Sequence, residues 1–204
     1  MKKAWLTCLS FILLLAACSA DTVVILSVSA LSLIPEAYRT VTIPIVSGVG
    51  VGVDLPDQQG IDNENFTGIP AGVFRDLQRF DVEVVGEYSL EGDGLDFTGD
   101  VGSASIELTL FLSATNSPFL DAPATIAQAV TLKLGETRTE TLSFAIDEKA
   151  QPELLKLLRT GDFKLGFRVE LVRVGTELGD VGLATLELSD IGIKIATKVG
   201  GFVQ

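Results

Sequence analysis

The sequence predicts an all-β protein, an antiparallel β-sandwich or barrel with one short helix near 151–160. Several segments alternate apolar and polar side chains with a period of two, which is the mark of strands with one buried face. Clusters of Gly, Asn, Asp and Pro separate those segments at the intervals expected of turns. Leucines at helical spacing occur convincingly only in Gln151–Thr160.

The chain opens with Lys2 and Lys3, continues with an apolar run from Ala4 to Ala17, and reaches Leu15-Ala16-Ala17-Cys18. A cationic start and an apolar stretch too short for the roughly 20 residues of a membrane span describe a secretory leader. The last four residues resemble the lipobox of bacterial lipoproteins. The resemblance implies that the Cys18 thiol receives a diacylglycerol and becomes the new N-terminus. An ordinary secretory leader with Cys18 near its cut is the alternative, and Cys8 is a poor acceptor because few apolar residues precede it. The expected organisation is a leader over 1–17, a lipidated N-terminus and short tether over 18–22, and a single β-sandwich domain over 23–204.

Val23–Leu33 reads as the first strand and Arg39–Ser47 as the second, with Pro44 confining the latter to an edge or bulge. Glycines at 48, 50 and 52 alternate with valines, which suits a strand or loop that approaches another backbone closely. The turn-rich run Leu55–Gly72 reads as a surface loop, and Pro70–Arg79 as a short helix. In Phe80–Leu90, Phe80, Val82, Val84 and Tyr88 point inward. In Ser103–Ala114, Ile106, Leu108, Leu110 and Leu112 do the same. Ala127–Leu134 and Thr137–Ile146 are expected to form a hairpin about Gly135-Glu136, with Val130, Leu132 and Leu134 meeting Leu142, Phe144 and Ile146 across the core.

Gln151–Thr160 has Pro152 in its first turn, Leu154, Leu155, Leu157 and Leu158 as an apolar stripe, Lys156 and Arg159 near its negative end, and Gly161 to stop it. Phe163–Val174 and Leu183–Thr197 complete the strands, the last bent or broken at Ser189-Asp190.

Composition narrows the chemistry. The 15 basic residues include Lys2 and Lys3, so a chain processed at Cys18 carries 13 bases against 27 acids, a net charge of −14. Such a surface repels nucleic-acid phosphates and anionic headgroups, and nucleic acid is not expected as a partner. There is no histidine. With Cys18 acylated, disulfides, Cys/His zinc sites, Cys-His dyads and Ser-His-Asp triads are all out of reach. Paired carboxylates of the glycosidase kind are the main catalytic chemistry left, and nothing in the sequence singles out such a pair. No enzyme activity and no cofactor are expected.

Three pieces taken in order resemble the water-stress and hypersensitive-response domain of group-two late embryogenesis abundant proteins. They are Ile106–Leu112 leading to Asn116-Ser117-Pro118, then Gly135–Phe144, then Leu154–Leu171. The family's Asn-Pro-Asn signature is altered here. The resemblance implies an immunoglobulin- or fibronectin-like sandwich with a stress-protective or binding role, and it brings no catalytic residue.

Two acidic loops offer oxygen ligands of the kind calcium takes: Asp54, Asp57, Asp62 and Glu64, and Glu91, Asp93, Asp96 and Asp100. Neither has a recognised calcium-loop spacing, and solvated turns explain both. Asn65-Phe66-Thr67 matches a glycosylation sequon by chance. Arg75 and Arg79 suit an anion contact, or pairing with Asp76 and Asp81. The leucine stripe of 151–160 suits ordinary core, or a groove for a lipid or peptide.

The expected role is a non-catalytic binding, scaffolding or stress-protective module of the cell envelope, held on a membrane through Cys18, facing the periplasm or exterior, with an envelope protein as partner. The alternative is a carrier that shelters a lipid or other apolar ligand between its sheets.

Overall fold

A computed structural model describes residues 22–45, 52–56, 61–62, 69, 72–92, 103–114, 124–174 and 182–198. The strands are β1 (Val23–Ser29), β2 (Thr40–Pro44), β3 (Gly52–Leu55), β4 (Ile61–Asp62), β5 (Leu77–Gly92), β6 (Ser103–Ser113), β7 (Ala124–Lys133), β8 (Thr137–Asp147), β9 (Lys164–Val174) and β10 (Gly182–Lys198). Among the described residues two α-helices join them, α1 (Gly72–Arg75) and α2 (Pro152–Arg159).

All pairings among these strands are antiparallel, and they make two sheets. The first runs β1-β10-β5-β8, with β2 sharing the β10 edge that β1 occupies further along; the second runs β3-β9-β6-β7, with β4 sharing the edge of β9. Counting β1 with β2 and β3 with β4 as single interrupted strands, the order is 1-8-3-6 in one sheet and 2-7-4-5 in the other. That double Greek key is the wiring of a jelly roll. The all-β antiparallel sandwich read from the sequence is present; its strand order is jelly-roll-like rather than the immunoglobulin-like order that the resemblance implied.

Alternation explains which face each strand buries. Phe80, Val82, Val84, Tyr88 and Leu90 of β5 face Ile106, Leu108, Leu110 and Leu112 of β6 across a contiguous apolar cluster that includes both sheets. Phe144 of β8 and Phe167 of β9 meet across the sheets with ring centroids 6.5 Å apart. Each such side chain removes about 1.5–3 kcal/mol worth of apolar surface from water.

The expected hairpin at Gly135-Glu136 is corrected by the pairing. β7 bonds to β6 and β8 to β5, so this turn carries the chain from one sheet to the other. Leu90 N–H donates to the Glu136 carbonyl at 3.0 Å and Gly135 N–H donates to the Leu90 carbonyl at 2.8 Å, which fixes the turn to the end of β5. Gly135 takes φ +79°, a left-handed conformation that glycine adopts without strain. Val130, Leu132, Leu142, Phe144 and Ile146 are all buried in the one apolar cluster between the facing sheets.

Other boundaries move for local reasons. The first strand stops at Ser29, and Leu31–Leu33 form a 3-10 turn. The helix expected over Pro70–Arg79 is only Gly72–Arg75, because the buried Leu77 already belongs to the sheet. Pro44 ends β2, a strand that pairs on one side only. The irregularity expected at Ser189-Asp190 is a β-bulge between Leu188 and Asp190.

Helix α2 closes one end of the sandwich. Leu154, Leu155 and Leu158 are buried, so its stripe is core rather than a groove. Arg159 Nε donates to the Leu77 carbonyl at 2.9 Å and ties the helix to the start of β5. Beside it, Phe163 packs edge-on against Phe74 and Phe80, at 5.2 and 6.4 Å.

Candidate functional site

The outer face of the first sheet carries a row of polar side chains set by the ladder: Thr40 of β2, Glu187 of β10, Glu87 of β5 and Thr139 of β8 are successive register partners. The adjacent row is Thr42, Thr185, Ser89 and Thr137, with Thr42 Oγ1 3.4 Å from Thr185 Oγ1. Ser189, the extra residue of the bulge, donates to the Val85 carbonyl at 3.1 Å. Glu87, Thr139, Glu187 and Ser189 together line an open depression of about 350 Å³.

The depression is electrostatically unusual. Directly opposed side chains on antiparallel strands have Cβ atoms about 4.5–5.5 Å apart, and like charges there are destabilising. Neither Glu87 nor Glu187 has an ion-pair partner among the described residues. Lower on the same face the acids are neutralised: Lys194 Nζ bonds Glu83 at 2.7 Å, and Arg79 bonds Asp81 at 2.8 Å and Asp147 at 3.3 Å. The Arg79 guanidinium is held more firmly protonated by its hydrogen bond to Asp81. The unpaired carboxylates and flanking hydroxyls make a surface rich in acceptors, suited to a polyol, an amide-rich strand or a cationic group.

Under the first sheet lies Tyr88. Its phenol is fully buried and its hydroxyl has no hydrogen-bond partner among the described residues. Burial, and secondarily the charge of Glu140, push its pKa up to about 12.

The outer face of the second sheet is built around Arg168. Its Nε and Nη2 donate to the two Asp54 carboxylate oxygens at 2.6 and 3.1 Å, and its guanidinium carbon sits 5.1 Å from the centroid of the Phe111 ring. The hydrogen bond to Asp54 keeps Arg168 charged despite partial burial. Glu170 and Glu107 are register partners beside it; Glu170 lies 3.8 Å from Arg168, and Thr109 Oγ1 donates to Glu107 at 3.3 Å. Here one guanidinium serves two of the acids, Asp54 and Glu170, and the cluster ties β3, β9 and β6 together.

The residues proposed from sequence are distributed as follows. Asp54 is engaged by Arg168, and Asp62 lies on β4 opposite Lys164. Their partners are four residues apart along β9, which is about 13 Å of strand, so the ladder does not bring these two acids together. Glu91 sits exposed near the end of β5. Asp57, Glu64, Asp93, Asp96, Asp100, Cys8, Cys18 and the Asn65 sequon lie outside the described residues. Arg75 and Arg79 pair with Asp76 and Asp81. The Glu87–Glu187 pair was invisible to sequence reading, because the two are a hundred positions apart; only the strand register opposes them.

No protein-family model matches the chain, and no curated protein matches it. Among solved structures it is similar to one of the infectious bursal disease virus Gx strain, with 13% identity over 88% of this chain and 33% of that chain at a TM-score of 0.41. It is also similar to the VP2 subviral particle of infectious bursal disease virus, with 12% identity over 91% and 36% at 0.38. A third similarity is to Desmodium yellow mottle tymovirus, with 7% identity over 88% and 90% at 0.23. The chain spans about a third of the length of the first two.

Proposed function

We propose that this chain is a lipid-anchored binding or scaffolding module of the cell envelope, held on a membrane by acylated Cys18 and working without catalysis. The observation that carries this reading is the lipobox-like Leu15-Ala16-Ala17-Cys18, followed after only four residues by the first strand at Val23. Two or more acyl chains suffice for stable attachment, which leaves the surface of the sandwich available for a partner. The acceptor-rich depression at Glu87 and Glu187 is the patch we assign to that partner, an envelope protein. A binding role is favoured over carriage of an apolar ligand by the contiguous apolar cluster between the sheets, where Phe144 already meets Phe167.

Expression of the full chain in a bacterial host, followed by membrane fractionation and intact mass, tests the anchor. The native sequence should sediment with membranes and carry a diacylglyceryl group, and Cys18→Ser should not. A native product that is soluble with a free thiol defeats the reading. Capture of envelope proteins by the native chain, set against Glu87→Lys/Glu187→Lys, tests the binding face; equal recovery by both would remove the depression from the proposal.

A further inference from the structure

Strand β1 is an edge strand whose outward side chains include Val23 and Ile25, 48% and 68% exposed. Two large apolar side chains two residues apart stand on one sheet face, beside Lys198, the register partner of Val23. They lie at the pole of the sandwich where β5 begins, β10 ends and α2 packs. At that pole Arg75 and Arg159 are paired with Asp76 and Glu148, and Arg79 with both Asp81 and Asp147, while Lys198 adds a fourth base. Bases and acids are evenly matched there among the described residues, in a chain whose net charge is −12 overall. This pole therefore lacks the electrostatic repulsion from an anionic surface that the rest of the molecule has.

We infer that this pole docks on the bilayer, with Val23 and Ile25 set into the interfacial region. The inference rests on the anchor reading above. Five chain steps separate Cys18 from Val23, and an extended chain advances at most about 3.6 Å per residue, so the strand begins within about 18 Å of the acylated sulfur's residue. The tether is too short to hold the domain clear of the headgroups. Exposed apolar side chains on a surface without excess negative charge suit the membrane interface. The acyl chains supply the attachment; β1 sets the orientation. With this pole on the bilayer, the depression at Glu87 and Glu187 lies on the same sheet face but ten residues further along β5, about 33 Å of strand from the membrane, and remains open to partners.

The acylated chain has no other thiol once the leader is removed, so single-cysteine reporters are available. Ile25→Cys and Leu183→Cys, the latter at the other end of β10, are labelled with an environment-sensitive fluorophore and reconstituted in vesicles of phosphatidylethanolamine and phosphatidylglycerol. The label at 25 should show a blue-shifted emission that nitroxide-headgroup lipid quenches at least severalfold more than the label at 183. Adding Val23→Asp to the Ile25→Cys reporter should reduce both signals. Water-like emission at 25 overturns the docking surface, as does quenching at 25 that Val23→Asp leaves unchanged, since the tether alone would then explain it. A blue shift without nitroxide quenching also overturns it, because a second copy or another protein would be covering β1. Intact mass of the same sample separates the two readings: an unacylated product defeats the anchor, and an acylated product with a solvated label defeats only the docking.

Discussion

Glu87 and Glu187 stand directly opposite one another on β5 and β10, two carboxylates in register on an exposed sheet face. Nothing in the fold requires a second acid there. Glu187→Gln should raise stability by roughly 0.2–1 kcal/mol, the size of a cross-strand charge effect. Urea unfolding at low salt measures it, and the gain should shrink at 1 M salt, where charges are screened within about 3 Å. An unchanged or lower midpoint at low salt would mean that the pair is not repulsive.

Arg168 holds Asp54 with two hydrogen bonds and covers Phe111. Removing one partner of a buried ion pair costs about 3–5 kcal/mol. Because Arg168 retains about a quarter of its exposure, solvent screening lowers the expectation for Arg168→Met to about 1–3 kcal/mol. Asp54→Asn combined with Arg168→Met should cost less than the sum of the two single changes, a coupling that a double-mutant cycle reads directly. Strict additivity would show that the pair contributes nothing.

Tyr88 buries a hydroxyl with no partner among the described residues. Leaving such a group unpaired costs about 1–3 kcal/mol, so Tyr88→Phe should leave stability unchanged or raise it, seen as a higher midpoint in thermal unfolding. The pH dependence has a definite sign. A phenol with its folded pKa raised from the ordinary 10.0 to about 12 ionises first in the unfolded chain. Its stabilising contribution is complete below pH 10 and is lost as the pH rises toward 12. Tyr88→Phe should remove that part of the alkaline loss; a variant that follows the native curve throughout this window would refute the assignment.

Asp147 closes the turn before α2 by accepting from the backbone N–H groups of Ala150 and Lys149, at 2.8 and 2.9 Å. These two bonds, Ala150 first, hold its carboxyl pKa below the ordinary value, with Arg79 adding to the effect. A carboxylate with a depressed folded pKa stabilises above its unfolded pKa and stops doing so as the pH falls through the folded one. Asp147→Asn should therefore lower the thermal midpoint at neutral pH, and the difference should close in acid. A constant difference down to pH 2 would mean that the charge is not what matters.

Much of the architecture was legible because strand alternation is a local property. Phe80, Val82 and Val84 can all reach a core only as one face of a strand, whatever that strand pairs with. The bulge at Ser189-Asp190 and the edge position of Pro44 were legible for the same reason, since a proline or a pair of turn-forming residues acts on its own backbone. The wiring was not legible. Gly135-Glu136 has the chemistry of a tight turn, and a turn of that kind serves equally a hairpin or a passage between sheets.

Burial on the outer face of β6 was also hidden. Thr109 and Phe111 alternate with the core-facing leucines and so face outward, yet both are buried, and Arg168 lies over the Phe111 ring. That contact comes from a strand more than fifty residues away. The sequence by itself determined the strand faces, the helix at α2, the acidic, imidazole-free surface and the lipobox-like stretch, because each depends on residues near one another in the chain. Only the tertiary structure decided the jelly-roll order, the Glu87–Glu187 opposition, the burial of the Tyr88 hydroxyl and the exposed β1 edge. Those depend on which strands share a ladder, and hydrogen bonds between backbones carry no trace of that choice in the side-chain pattern.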